Sequence, residues 1–197
     1  NMGLEPLPDI DFNIRAGNAL VGIGNALELE KALNSTIDGV ESRPIIEEKC
    51  DVVARAFRRY KEIQLTYGDD FMAFKEAKDD LKARLKELNK ELNQLYHKQS
   101  VAIPFDTWQE SHQPFHWFAE YYEIVKEKGG FDVLIGNPPY VELKEVKLYS
   151  TKDYYTQKCG NLYALCYERA ALLGNSNSLI GFIIPVASVC TDGYSQL

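Results

Sequence analysis

Two apolar runs, each cut off by proline, constrain this chain more than any other feature. "GFDVLIGNPPY" covers residues 130–140 and "SLIGFIIPVASV" covers 178–189. Both are β-branched and apolar on alternate and intervening positions alike, which predicts strands covered on both faces, as in a parallel sheet. Proline has no N–H to give to a ladder, so each run has to leave the sheet where its prolines begin. Between them "NLYALCYERAALL" (161–173) has the spacing of an amphipathic helix. Strand, helix, strand is the right-handed crossover unit of a doubly wound sheet. Upstream, "FHWFAEYYEIVKEKGG" (115–130) predicts a short helix stopped by its glycines.

The rest of the chain has a different rhythm. "IDFNIR" (10–15) alternates Ile10, Phe12 and Ile14 with polar residues, a strand pattern, and "AGNAL" then supplies a Gly-Asn turn. From Ser42, read as an N-cap with Pro44 in the first turn, the period becomes helical. Cys50, Val53, Phe57 and Tyr60 form one seam, and Phe71, Phe74, Leu81, Leu85, Leu88, Leu92 and Leu95 form a second beyond the "YGDD" break at 67–70. Lys78 interrupts the second seam. The pattern predicts an antiparallel helical hairpin of coiled-coil character inserted at 42–100. It divides an α/β protein into a strand and turn at 1–41, the hairpin, and a second α/β part at 101–197. In doubly wound sheets ligands sit beyond the carboxyl ends of the strands, and Asn18, Asn137 and Pro185 each fall at such an end.

Composition removes several function classes. The formal net charge of −7 argues against a naked nucleic-acid-binding module, which needs a basic face, without excluding a catalytic domain gripped to DNA elsewhere. The cysteines at 50, 159, 166 and 190 have no CxxC spacing, so neither zinc nor a redox pair is indicated. Free thiols without a signal peptide point to the cytoplasm, and no apolar run has the length of a membrane span. His112 and His116 are four apart with Pro114 between them and lack a third ligand, so no metal site is expected. Asp38, Glu47 and Lys49 loosely resemble a nuclease's acidic pair with Glu-x-Lys, but they open a helix and read as its solvated end.

The tetrad Asn137-Pro138-Pro139-Tyr140 is more than punctuation. Asn137 brings one amide acceptor and two donors. Pro138 lacks an N–H yet keeps its carbonyl, and consecutive prolines hold that carbonyl in a fixed direction. Tyr140 adds a flat π face. Convergent acceptors beside a stacking face suit a planar substrate with an exocyclic amino group.

With these residues in view the chain resembles the adenine-specific DNA methyltransferases of restriction–modification systems, which have the class I S-adenosylmethionine-dependent fold. "GGFDVLIGNPPYVE" (129–142) is similar to their catalytic motif. "FNIRAGNALVG" (12–22) is similar to the motif that meets the cofactor's adenine, and "GNLYALCYERAALL…GFIIPVAS" (160–188) to the helix and strand that follow catalysis. The resemblance implies a partial, Rossmann-like doubly wound sheet with S-adenosylmethionine as cofactor. Asn137 and the Pro138 carbonyl would accept from adenine N6, Pro139 would stiffen the turn, and Tyr140 would stack on the flipped base through its ring rather than its hydroxyl. Asn18, where the family often has aspartate, would meet the cofactor's adenine. The loop 141–160, polar and rich in tyrosine, would close over the base as a lid. Double-stranded DNA would be held by domains outside this piece, which is read as an internal fragment lacking the glycine-rich cofactor loop and inactive by itself. Two alternatives share the tetrad or dispense with it: a methyltransferase for an RNA guanine or a protein glutamine, and a non-enzymatic scaffold whose helical hairpin docks a partner.

Overall fold

The computed structural model describes residues 11–35, 37–66, 71–98 and 103–197, so Ile10 and the "YGDD" break lie outside the described residues. The first helix, α1 (Ala26–Asn34), is announced by a capping box. Asn25 Oδ1 accepts from the Glu28 N–H at 2.9 Å, and Glu28 reaches back to the Gly24 N–H at 2.6 Å. Helix α2 (Ile37–Thr66) begins well before Ser42 and carries Pro44 in its interior. A proline there removes one helical hydrogen bond, yet the helix runs through it. Ile46 and Val53 from α2 and Leu81, Leu85, Leu88, Leu92 and Leu95 from α3 (Phe71–His97) are buried in one cluster. Each fully buried leucine contributes about 1.5–3 kcal/mol, so this seam dominates the core. Ion pairs run along it: Arg59 lies 3.5 Å from Glu76, and Lys49 lies 3.8 and 3.5 Å from Glu87 and Glu91. Lys78, the interruption in the seam, turns outward to Asp11 at 2.7 Å.

The expected strand at 10–15 is not formed by the described residues. Residues 11–13 are a turn, and Phe12 instead packs edge-on against Tyr60 and Phe57, with ring centroids 4.9 and 6.2 Å away. Burying an aromatic ring against the helical layer outweighs the alternating pattern of so short a stretch. Asn18 makes a single parallel bridge to Pro114.

Beyond α3 come α4 (Phe105–His112) and α5 (Trp117–Glu120). The helix expected at 115–130 continues from α5 into a π-helical turn, Glu123–Glu127. It stops at Gly129 and Gly130, whose φ values of +74° and +129° side chains rarely adopt. Strand β1 (Phe131–Gly136), helix α6 (Leu162–Leu173) and strand β2 (Gly174–Phe182) follow, with β1 and β2 parallel neighbours. Asn161 caps α6 through the Tyr163 N–H. Two expectations are corrected here. β2 starts at Gly174, not 178, and ends three residues before Pro185, after which Ala187–Cys190 form a short helix, α7. Neither strand is covered on both faces: Val133, Ile135 and Leu179 are 55, 83 and 70% exposed. The described sheet has only two strands, and this face has no layer of described residues packed on it. No helix among the described residues is long and apolar enough to cross a membrane.

Candidate active site

Asn137 follows directly on the last residue of β1. The two strand ends stay joined there, since the Ile183 N–H donates to the Gly136 carbonyl at 3.0 Å. Tyr140 turns back across this junction. Its hydroxyl lies 2.7 Å from the Ile183 carbonyl and 3.3 Å from Asn137 Oδ1. Its half-exposed ring meets Tyr163 edge-on at 6.1 Å, and Tyr163 stacks on Tyr194 at 5.5 Å.

Asn137, Pro138 and Pro139 line an open groove of about 440 Å³, walled by β1, α6, Phe182 and the segment Ala19–Leu20. That size lies within the usual range for small-molecule sites. The lining is almost wholly apolar, with Arg169 its only charged residue. Cys166, also on the groove, has its thiol pushed up to about 11 by burial, so it stays protonated at neutral pH.

Asn18 is not among the groove residues, although its neighbours Ala19 and Leu20 are. Its Oδ1 accepts from the Leu20 N–H at 3.1 Å, an Asx turn, and its N–H donates to the Gln113 carbonyl at 2.7 Å. The segment comes to the groove, then, but the Asn18 side chain is engaged by Leu20 and by Tyr149.

The two histidines part company. His116 is fully buried. Its Nδ1 accepts from the Ile23 N–H at 3.0 Å, which leaves Nε2 to donate to Asn93 Oδ1 at 2.9 Å. His112 sits instead beside Ser111 Oγ at 2.9 Å. Among the described residues no three His, Cys, Asp or Glu side chains gather as a metal site would require.

The loop 141–160 is stitched down rather than free. The Leu143 N–H donates to the Gly160 carbonyl and the Leu162 N–H to the Val141 carbonyl, both at 2.9 Å. Glu168 of α6 accepts from the N–H groups of Tyr155 and Thr156 at 3.0 and 2.8 Å. Tyr154 is buried, and its hydroxyl donates to the Leu20 carbonyl at 2.7 Å. The loop's apolar members, Val141, Leu143, Val146 and Tyr149, pack with Leu20, Leu162 and Leu165. A polar composition predicts a solvated lid; Tyr154, which buries both its ring and its hydroxyl, ties the loop to Leu20 instead.

Arg169 is the functional neighbour that sequence reasoning missed. It is buried in α6, pairs with Glu28 and Tyr154, and reaches the groove. A single arginine beside Glu168 in the largely apolar run "ALCYERAALL" is the signal that could have found it.

A family model described as Eco57I restriction-modification methylase matches residues 27–197. The chain belongs to the Eco57I restriction-modification methylase family. The matched span takes in α2, α3 and Asn137–Tyr140, and begins after Asn18. Among curated proteins the chain is similar to a putative type II restriction enzyme and methyltransferase, RM.MjaORFECS2P, of Methanocaldococcus jannaschii. The identity is 25% over 237 residues, covering 97% of this chain and 20% of that relative. The chain thus spans a fifth of the length of the relative it matches. No solved structure matches. The described residues form a mixed α/β structure with a small parallel sheet, compatible with a methyltransferase fold.

Proposed function

We propose that this chain carries the catalytic tetrad of a DNA methyltransferase that moves a methyl group from S-adenosylmethionine to the N6 amino nitrogen of adenine in double-stranded DNA. One observation carries the reading: the tetrad Asn137-Pro138-Pro139-Tyr140 leaves the end of a parallel strand, and its first three residues line a groove of ligand size. Membership of the Eco57I family supports it. The finer architecture belongs to the same proposal: the β1–α6–β2 unit as part of a doubly wound, Rossmann-like sheet, and α2–α3 as an antiparallel hairpin inserted at 42–100. So does the setting, a cytoplasmic restriction–modification enzyme whose DNA grip lies mainly in other domains.

The groove's flat apolar walls fit an adenine ring. Its lining offers no carboxylate for a ribose, so the described residues fit one end of the cofactor only. S-adenosylmethionine, when bound, supplies a methyl group already activated on sulfonium. The chain's own task is then positioning, not strong acid–base chemistry. Asn137 Oδ1 and the Pro138 carbonyl accept from the target amino group and draw its lone pair out of the ring's conjugation. Pro138 and Pro139 fix the direction of that carbonyl. The exposed face of Tyr140 stacks on the flipped base, returning about 1–3 kcal/mol against a flipping cost of a few kcal/mol.

The test is methyl transfer by the full-length protein, offered duplex DNA, RNA and protein acceptors with labelled S-adenosylmethionine. Label in DNA adenine is the expected result; label in RNA guanine or a protein glutamine instead would move the same acceptors to another nitrogen. Asn137→Ala should abolish transfer and leave cofactor binding nearly intact, because it removes an acceptor for the target nitrogen alone. Turnover close to wild type in that variant would remove Asn137 from the reaction.

A further inference from the structure

The hydroxyl of Tyr140 has no part in stacking, yet it is the best-connected polar group at the strand ends. A phenol has one hydrogen to give. The Ile183 carbonyl at 2.7 Å is at the preferred O–H···O distance, whereas Asn137 Oδ1 at 3.3 Å is beyond it. The hydrogen therefore goes to Ile183, which is thereby held through both backbone groups, its N–H by the Gly136 carbonyl and its carbonyl by Tyr140. What remains on the phenol oxygen toward Asn137 is lone pair.

Two acceptor oxygens facing each other gain nothing. The two ends of an amide have nearly the same shape, and which end points where is decided by the hydrogen bonds around it. A lone pair at this distance selects Nδ2 of Asn137 to face Tyr140. Oδ1 is then presented away from Tyr140, and Asn137 is one of the residues that line the groove. That is the orientation in which an amino group can donate to it.

We propose that the Tyr140 hydroxyl is a positioning group: with its one proton committed to the Ile183 carbonyl, it fixes the Asn137 amide with its oxygen toward the groove. This rests on the reading of Asn137 as the acceptor for the target nitrogen. It revises the expectation that only the ring of Tyr140 matters.

Tyr140→Phe in the full-length protein separates the two parts of the side chain, since the ring and its stacking face remain. The loss of one orienting hydrogen bond near a reacting group, about 1–3 kcal/mol, converts to a roughly 10- to 100-fold fall in kcat. KM for DNA and the fluorescence of a 2-aminopurine placed at the target base, which reports flipping, should stay within about twofold of wild type. A kcat within about twofold of wild type in Tyr140→Phe, or a loss confined to KM or to the flipping signal, would overturn the proposal. The comparison is made on whichever acceptor the wild-type protein methylates. Transfer to a nitrogen other than DNA adenine then counts against the proposed substrate, and the kcat ratio still decides the hydroxyl.

Discussion

Arg169 Nη1 donates to both carboxylate oxygens of Glu28, at 2.9 and 2.8 Å, across 141 residues of chain. The other side of the guanidinium, Nε and Nη2, meets the Tyr154 hydroxyl at 3.0 and 2.8 Å, and that hydroxyl passes its own proton to the Leu20 carbonyl. One buried side chain thus ties α6 to the cap of α1, to the 141–160 loop and to the groove wall at Leu20. Burial opposes its charge, but Tyr154 and Glu28 hold its pKa above the ordinary arginine value, so it is a permanent cation here.

Arg169→Ala should therefore destabilise the protein by about 3 kcal/mol, near the low end for breaking a buried pair, because Glu28 keeps some contact with water. Arg169→Lys restores the charge but not the fork that serves two partners, and should recover only part of that loss. Urea denaturation measures both; a loss below about 1 kcal/mol for Arg169→Ala would show the network to be surface-like.

Much of this arrangement was legible in the sequence, and the exceptions have physical reasons. Leu81, Leu85, Leu88 and Leu92 mark α3 because one buried face is enough to set a 3.6-residue period. Asn161 marks the start of α6 because its cap bond is local. The strand read at 10–15 fails because Phe12 finds its partners, Phe57 and Tyr60, more than 40 residues away. Helix α1 had a visible signal, Asn25 and Glu28 three apart, that stayed unread. The tetrad at 137–140 was legible as chemistry, since acceptors and a π face are properties of residue types. The contact of Tyr140 with Ile183 was not, because it depends on which strand lies beside β1. Val133 and Ile135 read as buried because composition records a strand's covering, not which residues supply it.

His116 contributes to the acid side of the stability profile. Burial depresses its pKa to about 3, against 6.5 ordinarily, and its Nδ1 is occupied as an acceptor. The folded protein leaves it neutral down to about pH 3, while the unfolded chain takes up a proton below about pH 6.5. Its contribution is accordingly complete above the unfolded value and is lost as pH falls through this window, by about 1.4 kcal/mol per pH unit well below 6.5. His116→Gln cannot titrate, so its unfolding free energy should fall less steeply than wild type between about pH 6.5 and 4. Parallel profiles for the two proteins would mean that His116 is solvated.

The loop 141–160 should behave as a wall. With its backbone bonded at Leu143, Tyr155, Thr156 and Leu162, those four amides should exchange slowly in the absence of DNA and change little on adding it. Hydrogen-exchange mass spectrometry of the full-length protein reads this directly. Rapid exchange at Thr156 that slows with DNA would bring back the lid.

S-adenosylmethionine should bind this 197-residue chain weakly by itself, even though the tetrad is present. The groove can stack an adenine ring, but the rest of the cofactor is polar: two ribose hydroxyls, a sulfonium, an ammonium and a carboxylate. Arg169 is the one charged residue on the lining, and it is already shared between Glu28 and Tyr154. Asn18, expected to meet the cofactor's adenine, has its amide oxygen occupied by the Leu20 N–H. A ligand held at one end keeps most of its ordering cost and forfeits most of its contacts. The expected dissociation constant is in the millimolar range, roughly −4 kcal/mol, with the full-length protein much tighter. Titration calorimetry on both compares them under one condition. Micromolar binding by the 197-residue chain would mean that its own residues cradle the ribose and the methionine end, and that the groove beside Asn137 is more nearly complete than its lining indicates.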